Sequence, residues 1–258
     1  LFVRSVSGGT PLDVTKKQNA DSPTKPFGGA DEYTFSADGK SLIFAARDVG
    51  RTEAWSTDVD LFQVPTDGSK APVKLTTTNR ATDTGPQVSH DGKSLAYLAM
   101  KRPGFEADRQ QLIIRSLADG KERSLPAEWD HSVDSAIWSA DDKTLYALVQ
   151  DVGQHALFSI DVASGTRTKV IGEGHVNQVE LGGAGLLYSL DTIKGPADLY
   201  SAALDGSGRK ALTQVNGDAL AAIKLGDAEQ FSFKGANDDT VYAYIVKPVD
   251  FDAKKKYP

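Results

Sequence analysis

Cysteine is absent from all 258 residues, which excludes disulfide cross-links and thiolate zinc sites and fits a reducing or an oxidising compartment equally. Histidine is scarce. The four present, His90, His131, His155 and His175, show no His-x-x-x-His spacing or other metal-ligand cluster, so no metal and no cofactor is expected. No apolar run approaches the roughly 18 to 20 residues that a membrane helix needs, and the N-terminus lacks the basic-then-apolar pattern of a leader. Neither sign of charge dominates. The 29 basic and 35 acidic residues leave a net charge of -6, and the bases are scattered except at Lys254, Lys255 and Lys256, which argues against a nucleic-acid surface. No Gly-x-Ser-x-Gly occurs, so no catalytic residue is assigned.

The chain is instead rich in turns, with 24 glycines and 11 prolines beside 40% apolar residues. A hairpin unit recurs: short alternating strand, turn ending in Gly, second short strand. It turns at Gly8-Gly9, Asp67-Gly68, Asp119-Gly120, Ser164-Gly165 and Asp205-Gly206. Between these copies lies a second unit, strand, Ser-x-Asp-Gly-Lys, strand, seen in Tyr33–Phe44 and in Gln87–Tyr97, with Asp142 in place of Gly in Ala136–Tyr146. A fourth copy, Gln178–Tyr188, has lost the Asp and keeps Gly182-Gly-Ala-Gly185, which reads as a degenerate turn because no helix and Lys follow to cradle a phosphate. Apolar residues alternate by two throughout, so each period holds four short strands, one blade of a β-propeller.

The fold expected is therefore all-β, a partial β-propeller of about four and a half four-stranded blades. The blades fall near residues 31–76, 84–126, 131–171 and 174–213, after one leading half blade. An open stack leaves an apolar blade face uncovered, so the repeat predicts a piece of something longer. Two regions are expected, residues 1–215 as the partial propeller and residues 216–258 as a lead-in hairpin and linker.

The Ser-x-Asp-Gly-Lys turn, followed by an apolar hairpin closing on Leu75-Thr76 or Leu212-Thr213, resembles the TolB-like propeller repeat. From Phe231 the chain reads Phe-Ser-Phe-Lys-Gly-Ala-Asn-Asp-Asp-Thr-Val-Tyr-Ala-Tyr-Ile-Val-Lys-Pro248, and then reaches Lys256-Tyr-Pro258. That stretch is similar to the lead-in to the α/β-hydrolase domain of prolyl oligopeptidase-family serine peptidases. Thr52–Phe62 and Arg102–Arg109 look most like the dipeptidyl peptidase V-like members. The resemblance implies a dipeptidyl aminopeptidase propeller that gates access and helps bind the peptide N-terminus, with the catalytic triad on an α/β-hydrolase domain missing from this chain. It implies export to the periplasm or secretion, with a cytoplasmic location as the alternative. Two rivals stand beside it, a stand-alone TolB-like periplasmic interaction propeller and an acylaminoacyl peptidase propeller. The partners implied are peptide substrate and the hydrolase domain, with no nucleic acid and no membrane; an oligomer formed through the parent polypeptide stays open.

Function on a rigid scaffold sits on its loops, and two loops are long for a propeller. Arg47 to Asp60 carries Arg51, Glu53, Trp55, Asp58 and Asp60, and Lys101 to Arg109 carries Arg102, Phe105, Glu106 and Asp108. An enzyme that counts from a free N-terminus must bind an ammonium, for which carboxylates and aromatic faces are suited. Glu53 or Glu106 is the candidate amine anchor, Trp55 and Phe105 the candidate walls, and Arg102 the contact to a peptide carbonyl. The bland alternative is solvated loop charges paired with each other. Asp130 and His131 are expected toward the central channel. Asp38, Asp91, Asp141 and Asp142 are read as turn formers rather than calcium ligands.

Overall fold

The structure is a computed structural model describing residues 1–16, 18–25, 28–183 and 185–257. Ala184, in the degenerate glycine turn, and Pro258, at the end of the lead-in, lie outside the described residues.

The strands follow the repeat. A leading hairpin pairs β1 (Phe2–Val3) with β2 (Leu12–Asp13). The first four-stranded antiparallel sheet runs β3 (Tyr33–Phe35), β4 (Ser41–Ala46), β5 (Asp60–Pro65) and β6 (Val73–Lys74), and the second runs β7 (Asp83–Val88), β8 (Ser94–Ala99), β9 (Gln111–Ser116) and β10 (Glu122–Ser124). Next come β11 (Val133–Trp138), β12 (Thr144–Asp151), β13 (Gln154–Asp161) and β14 (Arg167–Ile171), in order with β14 on β13. The fourth set is β15 (His175–Gly182), β16 (Gly185–Thr192), β17 (Gly195–Ala203) and β18 (Lys210–Ala211), and β15 meets β13 at a parallel bridge between His175 and His155. After the short helix α1 (Gly217–Ala221), β19 (Ala228–Lys234) pairs with β20 (Thr240–Val246). Each blade thus lies within a few residues of its expected span, and the fold is a β-propeller.

Two compact units are present, residues 1–149 with 158–168, and residues 150–157 with 169–258. In the first, the continuous apolar run of β4 is divided by strand alternation between two cores. Leu42, Phe44 and Ala46 pack with Val14, Phe62 and Val64 on one face, where the Phe44 and Phe62 rings stack at 5.8 Å. Ile43 and Ala45 pack with Val59 and Leu61 on the other, against Leu95 and Tyr97 of the next blade. Burial of each large side chain there contributes about 1.5–3 kcal/mol, so a truncation such as Ile43→Ala is expected to cost about 2–5 kcal/mol.

The Ser-x-Asp turns repeat atom for atom in this unit. Ser36, Ser89 and Ser139 donate their hydroxyls to Asp38, Asp91 and Asp141 at 2.7, 2.7 and 2.8 Å. The same carboxylates accept the backbone N–H of Lys40, Lys93 and Lys143 at 3.0, 3.0 and 3.2 Å. These bonds hold all three carboxyls below the usual carboxylate range, Asp91 at about 2 with the Lys93 N–H as the leading cause. Gly39 and Gly92 take the left-handed position at φ 69° and 70°, and Asp142 takes it in the third turn at φ 57°. An Asp tolerates that conformation less well than Gly, but here its side chain is used. Asp142 accepts the backbone N–H groups of His90 and Asp91, both at 2.9 Å, and so ties its turn to that of the preceding blade.

In the second unit Tyr188, Leu186 and Leu190 of β16 are buried, while every described residue of β19 is exposed. The β19–β20 hairpin is anchored within this unit by Tyr244, whose hydroxyl donates to the Val152 carbonyl at 2.8 Å and accepts from Gln154 at 3.0 Å. Gly153, at φ +80°, makes room for it: a Cβ there would stand 2.6 Å from the Tyr244 ring.

Candidate functional site

The innermost strands of the first blades enclose the site. β7 touches both β3 and β11, and a cavity of about 510 Å³ opens between these strands and the loops above them. Its wall takes Thr84, Gly85 and Gln87 from β7 and Asp134, Ser135 and Ala136 from β11. Because it lies along the first strands of successive blades it is termed the channel cavity, and irregularities in the pairing of β7 and β11 bring consecutive residues to its wall.

Charge in the cavity leans acidic. Asp31, Glu32, Glu106 and Asp134 face it against Lys25 and Arg47. Glu32 is 7% exposed and is taken up locally, accepting the Thr24 N–H at 2.6 Å and the Thr24 hydroxyl. Arg47 is likewise committed, donating to the carbonyls of Glu53 at 3.2 Å and Lys25 at 2.9 Å.

The two long loops meet at the rim. Thr57, 8% exposed, accepts the Gly104 N–H on its hydroxyl at 2.8 Å, and its carbonyl accepts the Thr82 hydroxyl at 2.9 Å. The base of the second loop is gathered by Asp108, which accepts the N–H of Lys101 at 2.9 Å, the N–H of Arg102 at 2.8 Å and the Arg102 guanidinium at 2.9 Å. Desolvation opposes the charge on Asp108, but these bonds outweigh it and hold the carboxyl at about 2.

Of the candidate residues, Glu106 alone lines the channel cavity. Glu53, in a 3-10 turn over Gly50–Trp55, is bonded to Asp21, which raises its carboxyl above the usual range, while Lys25 foremost and then Glu53 lower that of Asp21. Trp55 is 73% exposed and outside the cavity. Phe105 is also outside it, covered by the Arg102 guanidinium at 3.9 Å from the ring centroid. Arg102 is engaged with Asp108 and faces a separate surface hollow with Lys101 and Arg109.

Asp130 and His131 do not reach the channel. Asp130 is fully exposed beside Arg109, and His131 stacks on Trp129 at 5.3 Å, because the chain enters the inner strand only at Val133. The cavity-facing residues of that blade are instead Asp134, Ser135 and Ala136, three in a row because the pairing with β12 shifts register between Val133 and Ser135, which strand alternation alone does not foretell. Among the described residues no group of three or more His, Asp or Glu could hold a metal ion. Asp38, Asp91 and Asp141 spend their oxygens on their own hairpins, and Asp142 spends its on the turn of the preceding blade.

No protein-family model matches the chain. It is 32% identical to the dipeptidyl-peptidase 5 of Aspergillus oryzae over 95% of this chain and 36% of that protein. It is 26% identical to the dipeptidyl-peptidase 5 of Porphyromonas gingivalis over 100% of this chain and 38% of that protein. The chain thus spans little more than a third of the length of these curated relatives. Among solved structures, an acylaminoacyl peptidase in complex with Z-Gly-Gly-Phe-chloromethyl ketone superposes with a TM-score of 0.67 at 18% identity, covering 88% of this chain and 33% of that one. A putative TolB from Agrobacterium tumefaciens superposes with a TM-score of 0.61 at 15% identity, covering 82% of this chain and 73% of that one. At such identities these two structures support the propeller fold alone.

Proposed function

We propose, from the premise that this chain is homologous to the dipeptidyl-peptidase 5 proteins, that it is the propeller of a serine exopeptidase that removes dipeptides from free peptide N-termini. The hydrolytic Ser, His and acid belong to an α/β-hydrolase domain of the same polypeptide, and residues 216–258 form the lead-in to it. The propeller limits entry to short or unfolded peptides and supplies part of the substrate surface. Export to the periplasm or secretion goes with this reading.

The observation that carries it is the channel cavity with Glu106 at its wall. Its volume lies in the range of small-ligand sites, roughly 300–1,000 Å³. A carboxylate there offers charge-assisted hydrogen bonds to an ammonium, and the surplus of acidic side chains favours a cation over a neutral end. This supports a free amine over an acylated N-terminus. Glu53 has the weaker claim, since its carboxyl already answers to Asp21.

The test is Glu106→Gln in the full-length polypeptide, assayed on free-amine dipeptidyl chromogenic substrates. A lost charge-assisted bond corresponds to about 1.5–3 kcal/mol, so KM should rise roughly ten- to a hundredfold with kcat little changed. Unchanged KM would remove Glu106 from the site. The coding sequence after Pro258 should contain His-Gly-Gly-Pro and Gly-x-Ser-x-Gly, and their absence would overturn the peptidase reading.

A further inference from the structure

A second cavity, of about 330 Å³, opens over β8, β9 and β10 of the second blade. At its floor is Asp83, 1% exposed. Its Oδ1 accepts the Asn79 carboxamide at 2.7 Å, and Asn79 is itself fixed by the Met100 carbonyl at 2.9 Å. Its Oδ2 has no hydrogen-bond partner among the described residues. A buried carboxylate oxygen without a partner is costly and calls for an occupant.

The neighbouring charges define that occupant. Asp60 of β5 and Glu122 of β10 both bear on Asp83 and repel its ionised form. Each has a cation of its own: Lys74 stands 2.5 Å from Asp60, and Arg115 stands 2.5 Å from Glu122. Asp83 has none among the described residues. The remaining groups facing it, Thr76 on the blade connection and Tyr97 on β8, are uncharged. The same cavity is lined by two cations, Lys101 and Arg123, the second of which also donates to the Val162 carbonyl, by Glu122, which Arg115 holds, and by the apolar side chains of Met100 and Ile113. The cavity therefore offers a negative floor, a positive rim and an apolar wall.

We propose that this cavity binds a small zwitterion, a free amino acid or dipeptide, whose ammonium pairs with Asp83 and whose carboxylate is met by Lys101 and Arg123. The site is separate from the channel and its chemistry stands without Glu106. Burial raises the Asp83 carboxyl to about 7, against the opposing pull of the Asn79 carboxamide. A bound ammonium pulls it back down, so binding near pH 6 releases a proton.

Isothermal titration calorimetry on the full chain at pH 6, with Ala-Ala, N-acetyl-Ala-Ala and Ala-Ala amide as probes, tests this. Ala-Ala should bind at millimolar concentration or below, with both acetylation and Asp83→Asn weakening it at least tenfold, on the order expected for a lost charge-assisted bond. Lys101→Ala should weaken Ala-Ala about threefold and narrow its preference over the amide by the same factor, a readout that does not depend on Asp83→Asn folding, and an unchanged preference overturns the site. Heats in buffers of different ionisation enthalpy should show up to one proton released per dipeptide, lost in Asp83→Asn. Equal binding of the acetylated probe, unchanged binding by Asp83→Asn, or no binding of Ala-Ala overturns the site. Abolition by Glu106→Gln with Asp83→Asn unaffected overturns it too, by placing the dipeptide in the channel, whereas unchanged binding by Glu106→Gln supports it.

Discussion

The loops at 47–60 and 101–109 are alike in composition, each bringing an arginine, an aromatic and carboxylates to the channel rim, yet their carboxylates answer to different partners. In the first, the Glu53 carboxyl answers to Asp21, which also pairs with Lys25, while Arg47 donates to the backbone carbonyls of Glu53 and Lys25. In the second, Asp108 absorbs the loop's backbone and its Arg102, which leaves Glu106 turned to the cavity. Two loops with the same letters thus divide the work: one braces the rim, the other presents a charge. The difference arises from a single position in each, an aspartate outside the first loop at 21 and an aspartate inside the second at 108.

Breaking the second loop's base should give the largest effect on this contrast. Asp108→Ala removes three hydrogen bonds and an ion pair at once, and amide exchange over residues 102–107 should accelerate on the order of tenfold or more, with KM for free-amine substrates rising in step. Acid should do the same in the unaltered protein. The Asp108 carboxyl is depressed to about 2, so its contribution is complete above the ordinary aspartate pKa and is lost as pH falls from about 4 through about 2. Loop exchange that stays slow in Asp108→Ala would show that the loop is held by something else.

Next in size is the link between the loops. Thr57→Val deletes the hydroxyl that accepts the Gly104 N–H and leaves that donor unpaired, at about 1 kcal/mol, or roughly fivefold faster exchange at Gly104. Thr57→Ser keeps the oxygen and should restore slow exchange. If Thr57→Val leaves Gly104 protected, the loops are not joined through this hydroxyl, and each must be treated alone.

The blades were legible in the chain because their turn chemistry is local: Ser, Asp and Gly within four positions make all the bonds the hairpin needs, and alternation marks the strands between. The two loops were legible by their length. Their internal division was not, because the partners that decide it come from afar. Asp21 lies 32 residues before Glu53, and Thr57 meets Gly104 across 47 residues. Asp83 was missed for the same reason. It reads as an ordinary polar residue at the start of a strand, and only packing beside Asp60 and Glu122 makes it a buried charge without a cation. Asp142 reads in the sequence as a turn former alone, because its bonds to His90 and Asp91 in the preceding blade span about 50 residues.

The smallest effect, and the sharpest on the contrast, is expected of Glu53→Gln. An amide keeps the hydrogen-bonding shape toward Asp21 and removes a like charge from beside it, so nothing is lost that the first loop depends on. The Asp21 carboxyl still has Lys25 at 2.9 Å. KM for free-amine substrates and the urea midpoint should both stay within twofold or experimental error of the unaltered protein, since the side chain is exposed and outside the cavity. A tenfold rise in KM in Glu53→Gln, beside a silent Glu106→Gln, would reverse the roles of the two loops: the amine would then bind at the Asp21–Glu53 pair, where two adjacent carboxyls share one ammonium, and Glu106 would be the bystander.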